Sequence, residues 1–263
     1  MRVADAEIHY EVRGTGPLIA LVGAPMDARA FTPLAELLAA DHTVLTTDPR
    51  GIGRSPVDDP DADCTPQQRA DDLARLIVHV NAGPAVVVGS SGGAVTALAL
   101  AQSRPELLSA VIAHEPPVTE MLPDRDKRRA ATEDMIATYL GGDVLGAWEQ
   151  FMVNANIPMP RDVIEQVFLA DRSPQAVADE HYQFAHMMRG TTYFRPDIAV
   201  LRSSAPRILI GIGEQSTGQL CDLTSRALAA ALGVEPTMFP GDHIGFAEEP
   251  AAFHERLRQV LRG

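Results

Sequence analysis

Two adjacent serines sit in Gly89-Ser90-Ser91-Gly92-Gly93, between the β-branched run Val86-Val87-Val88 and an Ala/Leu-rich stretch. That order reads as strand, sharp turn, helix. A turn of this kind raises one hydroxyl above the end of a sheet, where it can attack a carbonyl carbon. Ser91 fits the role better than Ser90. Gly89 lies two residues before it and Gly93 two residues after it, and the turn crowds both places; for Ser90, one of them would hold Val88. Such a nucleophile needs a base, an acid that orients the base, and two donors for the oxyanion.

The elements that would position these groups follow from hydropathy patterning. Residues 6–12 alternate apolar and polar and predict an early antiparallel strand. Continuous apolar or β-branched runs predict buried strands at 18–22, 43–47, 85–89, 110–113, 207–212 and 236–239. Helical spacing predicts helices at 31–40, 66–80, 94–102, 220–232 and 251–261. Strands alternating with helices imply an α/β fold with a mostly parallel sheet covered on both faces. The rhythm breaks at 117–201, which has no strand pattern and is punctuated by Pro117, Pro158, Pro160, Pro174 and Pro196. We read 1–116 and 202–263 as the core and 117–201 as a helical cap, inserted after the sixth strand of the core and lying over the strand ends.

Composition narrows the partners. Of 263 residues, 46% are hydrophobic and 22% charged, which is ordinary for a globular domain. The net charge of −13 argues against nucleic acid or an anionic membrane as a partner. Two distant cysteines, Cys64 and Cys221, read as free thiols in a reducing compartment. The first residues lack a signal-peptide core, and no apolar run could span a bilayer. The expectation is a cytoplasmic protein, with a homodimer allowed, whose partner is a small-molecule substrate.

The whole chain resembles the α/β-hydrolase superfamily in three motifs: the serine turn, Asp48-Pro49-Arg50-Gly51-Ile52-Gly53-Arg54-Ser55, and Gly241-Asp242-His243. The resemblance implies the order nucleophile, acid, histidine, which makes His243 the base. It also implies that the backbone amides of Gly92 and Ala24 form the oxyanion hole; Pro25 has no N–H to offer. The acid has two candidates. The position where an aspartate is common holds Ser216, with Glu214 two residues earlier. Glu115 ends the preceding strand, in His114-Glu115-Pro116-Pro117, where two prolines stiffen the backbone. Glu115 is the first choice and Glu214 the alternative. A narrower similarity, to zearalenone lactonases, supports Glu115, because those enzymes take their acid from a His-Glu-x-Pro stretch after the sixth strand. It also suggests Trp148 as a cap residue that packs on substrate. Met26 is a second candidate substrate contact.

These residues imply a serine hydrolase of esters or lactones with no cofactor and no metal, acting on a bulky, apolar small molecule. Rival readings are a non-catalytic ligand sensor on the same scaffold, a carbon–carbon bond hydrolase, or a perhydrolase.

Overall fold

The central sheet is built where the apolar runs place it. The computed structural model describes residues 1–170 and 172–262; residues 171 and 263, inside the expected cap and core ranges, lie outside the described residues. Seven strands form one sheet: β1 (Tyr10–Arg13), β2 (Leu18–Val22), β3 (Thr43–Thr47), β4 (Ala85–Ser90), β5 (Leu108–His114), β6 (Arg207–Gly213) and β7 (Thr237–Phe239). Their order is β1-β3-β2-β4-β5-β6-β7. Only β1 runs antiparallel to its neighbour.

The helices are α1 (Thr32–Leu38), α2 (Pro66–Val80), α3 (Gly92–Ser103), α4 (Arg125–Leu140), α5 (Val144–Ala155), α6 (Arg161–Ile164), α7 (Pro174–Tyr182), α8 (Met188–Thr192), α9 (Ile198–Ser203), α10 (Leu220–Leu232), α11 (Gly245–Glu248) and α12 (Pro250–Arg262). One face of the sheet packs on α2, α3 and α10 through residues such as Leu73, Leu98 and Leu228. The other packs on α1 and α12 through Phe31, Leu34, Phe253 and Leu257. Helix α2 starts where the sequence provides a reciprocal cap: Thr65 Oγ1 accepts from Gln68 N–H, and the Gln68 side chain accepts from Thr65 N–H.

Two expectations change. The first strand was expected at 6–12 but occupies Tyr10–Arg13, because it pairs with a β3 only five residues long. Ala6 and Glu7 contribute isolated bridges instead. The insertion was placed after a sixth strand; in chain order it follows the fifth.

Among the described residues between β5 and β6, the regular elements are all helical, with no strand. Four contacts are among those that dock this segment on the core. The Tyr182 ring lies against Gly51. Gly53 N–H donates to Asp179 Oδ1 at 2.8 Å, and Cys64 N–H to the His186 carbonyl at 2.9 Å. The buried Arg69 guanidinium donates to Thr96 on α3 and Thr191 on α8, both at 3.0 Å. Asp48, fully buried, braces the Gly-rich loop by accepting from Ala28 N–H and Arg54 N–H.

Gly51 has φ +79°, and a Cβ there would lie 2.0 Å from Tyr182 Cε1. Gly83 has φ +86° with nothing within 4 Å. By urea denaturation, Gly83→Ala is expected to cost about 1 kcal/mol, the backbone strain alone. Gly51→Ala is expected to cost a further ~1–3 kcal/mol through the clash. Equal costs would show that Tyr182 does not seat on Gly51.

Candidate active site

The chain reverses its direction of winding between β2 and β4, and ligands of open α/β sheets bind outside the strand ends at such a point. Ser91 follows β4 there. Its backbone is left-handed, with φ 56° and ψ −124°, a strained conformation for a residue with a Cβ. The Ser91 N–H donates to the His114 carbonyl at 2.9 Å, and the Ser91 carbonyl accepts from Ala94 and Val95. The glycines around it are sterically required. A Cβ on Gly89 would lie 2.3 Å from the Gly93 carbonyl oxygen, one on Gly93 2.1 Å from that of Val22, and one on Gly92 2.5 Å from that of Ala24. Ser90 points the other way: it is buried, and its Oγ lies 3.2 Å from His114 Nδ1.

Glu115 leaves β5 in a second left-handed conformation, φ 53°. Its side chain is wholly buried. Oε1 accepts from Gly213 N–H at 2.8 Å, and Oε2 lies 2.5 Å from His243 Nδ1. His243 comes from the loop after β7. Gly213 must lack a side chain for that loop to close, since a Cβ there would sit 2.7 Å from the Asp242 carbonyl oxygen. Asp242 is occupied locally, accepting from Ile244 N–H at 2.9 Å.

The charges follow from these contacts. Burial pushes the Glu115 carboxyl up, but the surrounding polar contacts, led by the hydrogen bond and charge of His243, outweigh it and hold the group at about 2. Burial likewise pushes His243 down, yet Cys221 and Glu115 beside it hold the imidazole well above its ordinary value. His114, enclosed by the Phe239 and Phe253 rings, is pushed down to about 4 by burial and stays neutral.

Ser91 and His243 line one cavity of about 340 Å³, together with Ala24, Pro25, Pro117 and Cys221. Among the described residues, His243 bonds through Nδ1 to Glu115, and no hydrogen bond joins it to Ser91 Oγ. Gly92 N–H is turned to the Ala24 carbonyl at 3.2 Å, and Ala24 N–H makes no protein hydrogen bond among the described residues. Glu214 is exposed and lies outside the cavity lining. Ser216 is buried, and its hydroxyl meets no hydrogen-bond criterion among the described residues.

Two expected substrate contacts sit elsewhere. Trp148 is in the core of the helical segment, stacked on Phe168 at 4.0 Å, with its indole N–H on Glu180 Oε2 at 2.7 Å. The aromatic residue that reaches the cavity is Phe151, three residues on along α5. Met26 packs against the cluster around Phe31, and Pro25 lines the cavity in its place. Sequence reasoning also missed Cys221. Its sulfur lies within 4.8 Å of a His243 nitrogen and a Glu115 oxygen, the single grouping among the described residues that could ligate a metal ion. Both Glu115 oxygens there are already bonded, to Gly213 and His243.

The profile of the alpha/beta hydrolase family matches residues 18–256. The chain belongs to that family. An uncharacterized hydrolase of Bacillus subtilis, YraK, is 30% identical over 274 residues, spanning 99% of this chain and 94% of that protein. A 2-(acetamidomethylene)succinate hydrolase of Mesorhizobium japonicum is 30% identical over 68% of this chain and 57% of its own length. Among solved structures, a thermophilic esterase from Thermogutta terrifontis superposes with a TM-score of 0.67 at 24% identity, covering 98% of this chain and 93% of that one. At that identity the likeness shows the fold. No described helix of this hydrolase is long and apolar enough to cross a membrane.

The hydrolase's stability is expected to fall with pH through His114. Its folded value of about 4 lies below the ordinary 6.5, so the unfolded chain binds the extra proton first. Stability drains as pH drops from about 6.5 toward about 4. Urea titrations at about pH 7 and about pH 4.5 should show a smaller loss for His114→Gln than for the unmodified protein. Equal losses would place the His114 ring outside this account.

Proposed function

We propose that the protein is a cofactor-free serine hydrolase that opens an ester or lactone of a bulky, largely apolar small molecule through an acyl-enzyme. The contact of the buried Glu115 with the partly buried His243, opening on the cavity that Ser91 shares, carries this reading. Glu115 fixes the Nδ1–H tautomer, leaving Nε2 as the base. Ser91 Oγ bonds to the substrate carbonyl carbon while Nε2 takes the hydroxyl proton. The carbonyl oxygen becomes an oxyanion, held by Ala24 N–H and by Gly92 N–H, which exchanges its 3.2 Å contact with the Ala24 carbonyl for the stronger anionic acceptor. As the tetrahedral centre collapses, the C–O bond breaks and His243 returns its proton to the leaving alkoxide. Water then attacks the acyl-enzyme with His243 as base, freeing the acid and the Ser91 hydroxyl. Phe151, Met187, Met188 and Ile157 line the cavity and favour an apolar body.

The engaged Gly92 amide favours one second reading, a protein that binds such a molecule without turning it over. Covalent labelling separates the two. A fluorophosphonate is expected to add once to the intact protein, at Ser91, and not to Ser91→Ala. Ser91→Ala is also expected to lose about four orders of magnitude or more in kcat with a nitrophenyl ester. Full turnover by that variant would remove Ser91 from the mechanism.

The pH dependence has a definite sign. His243 must be neutral to act as a base, so kcat/KM rises with pH through its raised pKa. Glu115→Gln removes one of the groups that raise it. The limb should move to lower pH while the maximum falls sharply. A limb that stays in place in Glu115→Gln would contradict the pairing.

A further inference from the structure

Helix α4 gives one stripe to the cavity: Lys127 and Arg128, Ala131 and Thr132, then Met135. These recur at one-turn spacing, so they share a face. The stripe is graded, cationic at its start, small in the middle and apolar at its end, over about 12 Å of helix. Apart from His243, the charged residues in the cavity lining are Asp124, Lys127 and Arg128. Asp124 Oδ1 accepts from Arg128 Nε at 2.9 Å, and those charges offset each other. Lys127 has no carboxylate within 4.0 Å among the described residues, so a single positive charge is left over at an otherwise mainly apolar cavity.

Lys127 is exposed at the edge of the cavity, and three features distinguish it from the other surface charges. Lys127 is the only lysine in the sequence, in a chain of net charge −13. It sits in the first turn of α4, where the helix dipole disfavours cations, so helix stability does not account for it. Its neighbours Arg128 and Arg129 are each committed, to Asp124 and Glu120. An anion nearing this acidic surface is repelled unless a local cation receives it.

We propose that the substrate carries a carboxylate of its own, besides the scissile carbonyl, and that Lys127 binds it. The substrate class is then a monoanionic ester or lactone with an apolar body. This inference rests on the hydrolase reading above for its reaction, but not for its binding.

The test compares the 4-nitrophenyl monoester of adipic acid, which keeps a free carboxylate, with the neutral 4-nitrophenyl methyl adipate. The readout is the ratio of their kcat/KM values. The unmodified protein should prefer the acid. Lys127→Met should lower the ratio by about three- to five-fold, the range of a partly solvated ion pair. Lys127→Arg should keep most of the preference, and 1 M salt should erode it. A ratio near one in the unmodified protein, or one unchanged in Lys127→Met, would overturn the proposal. Calorimetry on Ser91→Ala supplies a readout without turnover. Monomethyl adipate should bind more tightly than dimethyl adipate, and adding Lys127→Met should erase the difference. Lys127-dependent binding with no ester turned over by the unmodified protein would uphold this inference and overturn the hydrolase reading. Turnover with no charge preference would do the reverse.

Discussion

The site depends on one contact, that between the buried Glu115 carboxylate and His243 Nδ1 at 2.5 Å. A carboxylate with no exposure to water is tolerated only if hydrogen bonds and opposite charge replace its hydration. Here Gly213 N–H satisfies one oxygen and the imidazole the other. The same pairing holds His243 in one tautomer and one orientation. A break on either side would leave a charge buried without a partner. The fold supports both sides of the contact. Strand β5 ends in a left-handed Glu115 that turns its side chain toward β6, and Gly213 at the end of β6 is bare enough to let the His243 loop close over it.

The serine turn is a second strained feature, and the sheet supports it. Ser91 is held left-handed by a ring of backbone groups that only glycines can approach. The Ser91 N–H bonds to the His114 carbonyl, directly before Glu115. Ser91 and Glu115 are thus joined through one hydrogen bond between adjacent parallel strands. His114 serves this junction as a neutral core residue, with its ring against Phe239 and Phe253 and its carbonyl on Ser91.

Sequence alone revealed those parts of the site whose cause is local. The Gly-x-Ser-x-Gly turn is readable because its glycines answer steric contacts within a few residues. Helices α2 and α10 begin and end where apolar spacing puts them. Glu115 was readable as a carboxylate at a strand end stiffened by two prolines, while the exposed Glu214 offered only proximity in sequence. What escaped depends on how helices rotate over the sheet. Trp148 and Phe151 are three residues apart on α5, and nothing local decides which one faces the cavity. The choice is made by Phe168 and Glu180, distant residues that capture the indole. Met26 lost its place to Pro25 for a similar reason, since the partly buried methionine packs against the cluster around Phe31. Cys221 came from an element with no motif. Lys127 had a weak signal in the spacing of 127, 131 and 135, which becomes meaningful once α4 is known to face the cavity.

The most direct probe of the Glu115–His243 contact is proton NMR of the imidazole Nδ1–H, which a short bond to a carboxylate shifts far downfield and shields from exchange. A single downfield resonance should be present in the unmodified protein, persist in Glu214→Gln and vanish in Glu115→Gln. A resonance that survives Glu115→Gln and is lost in Glu214→Gln would contradict the account.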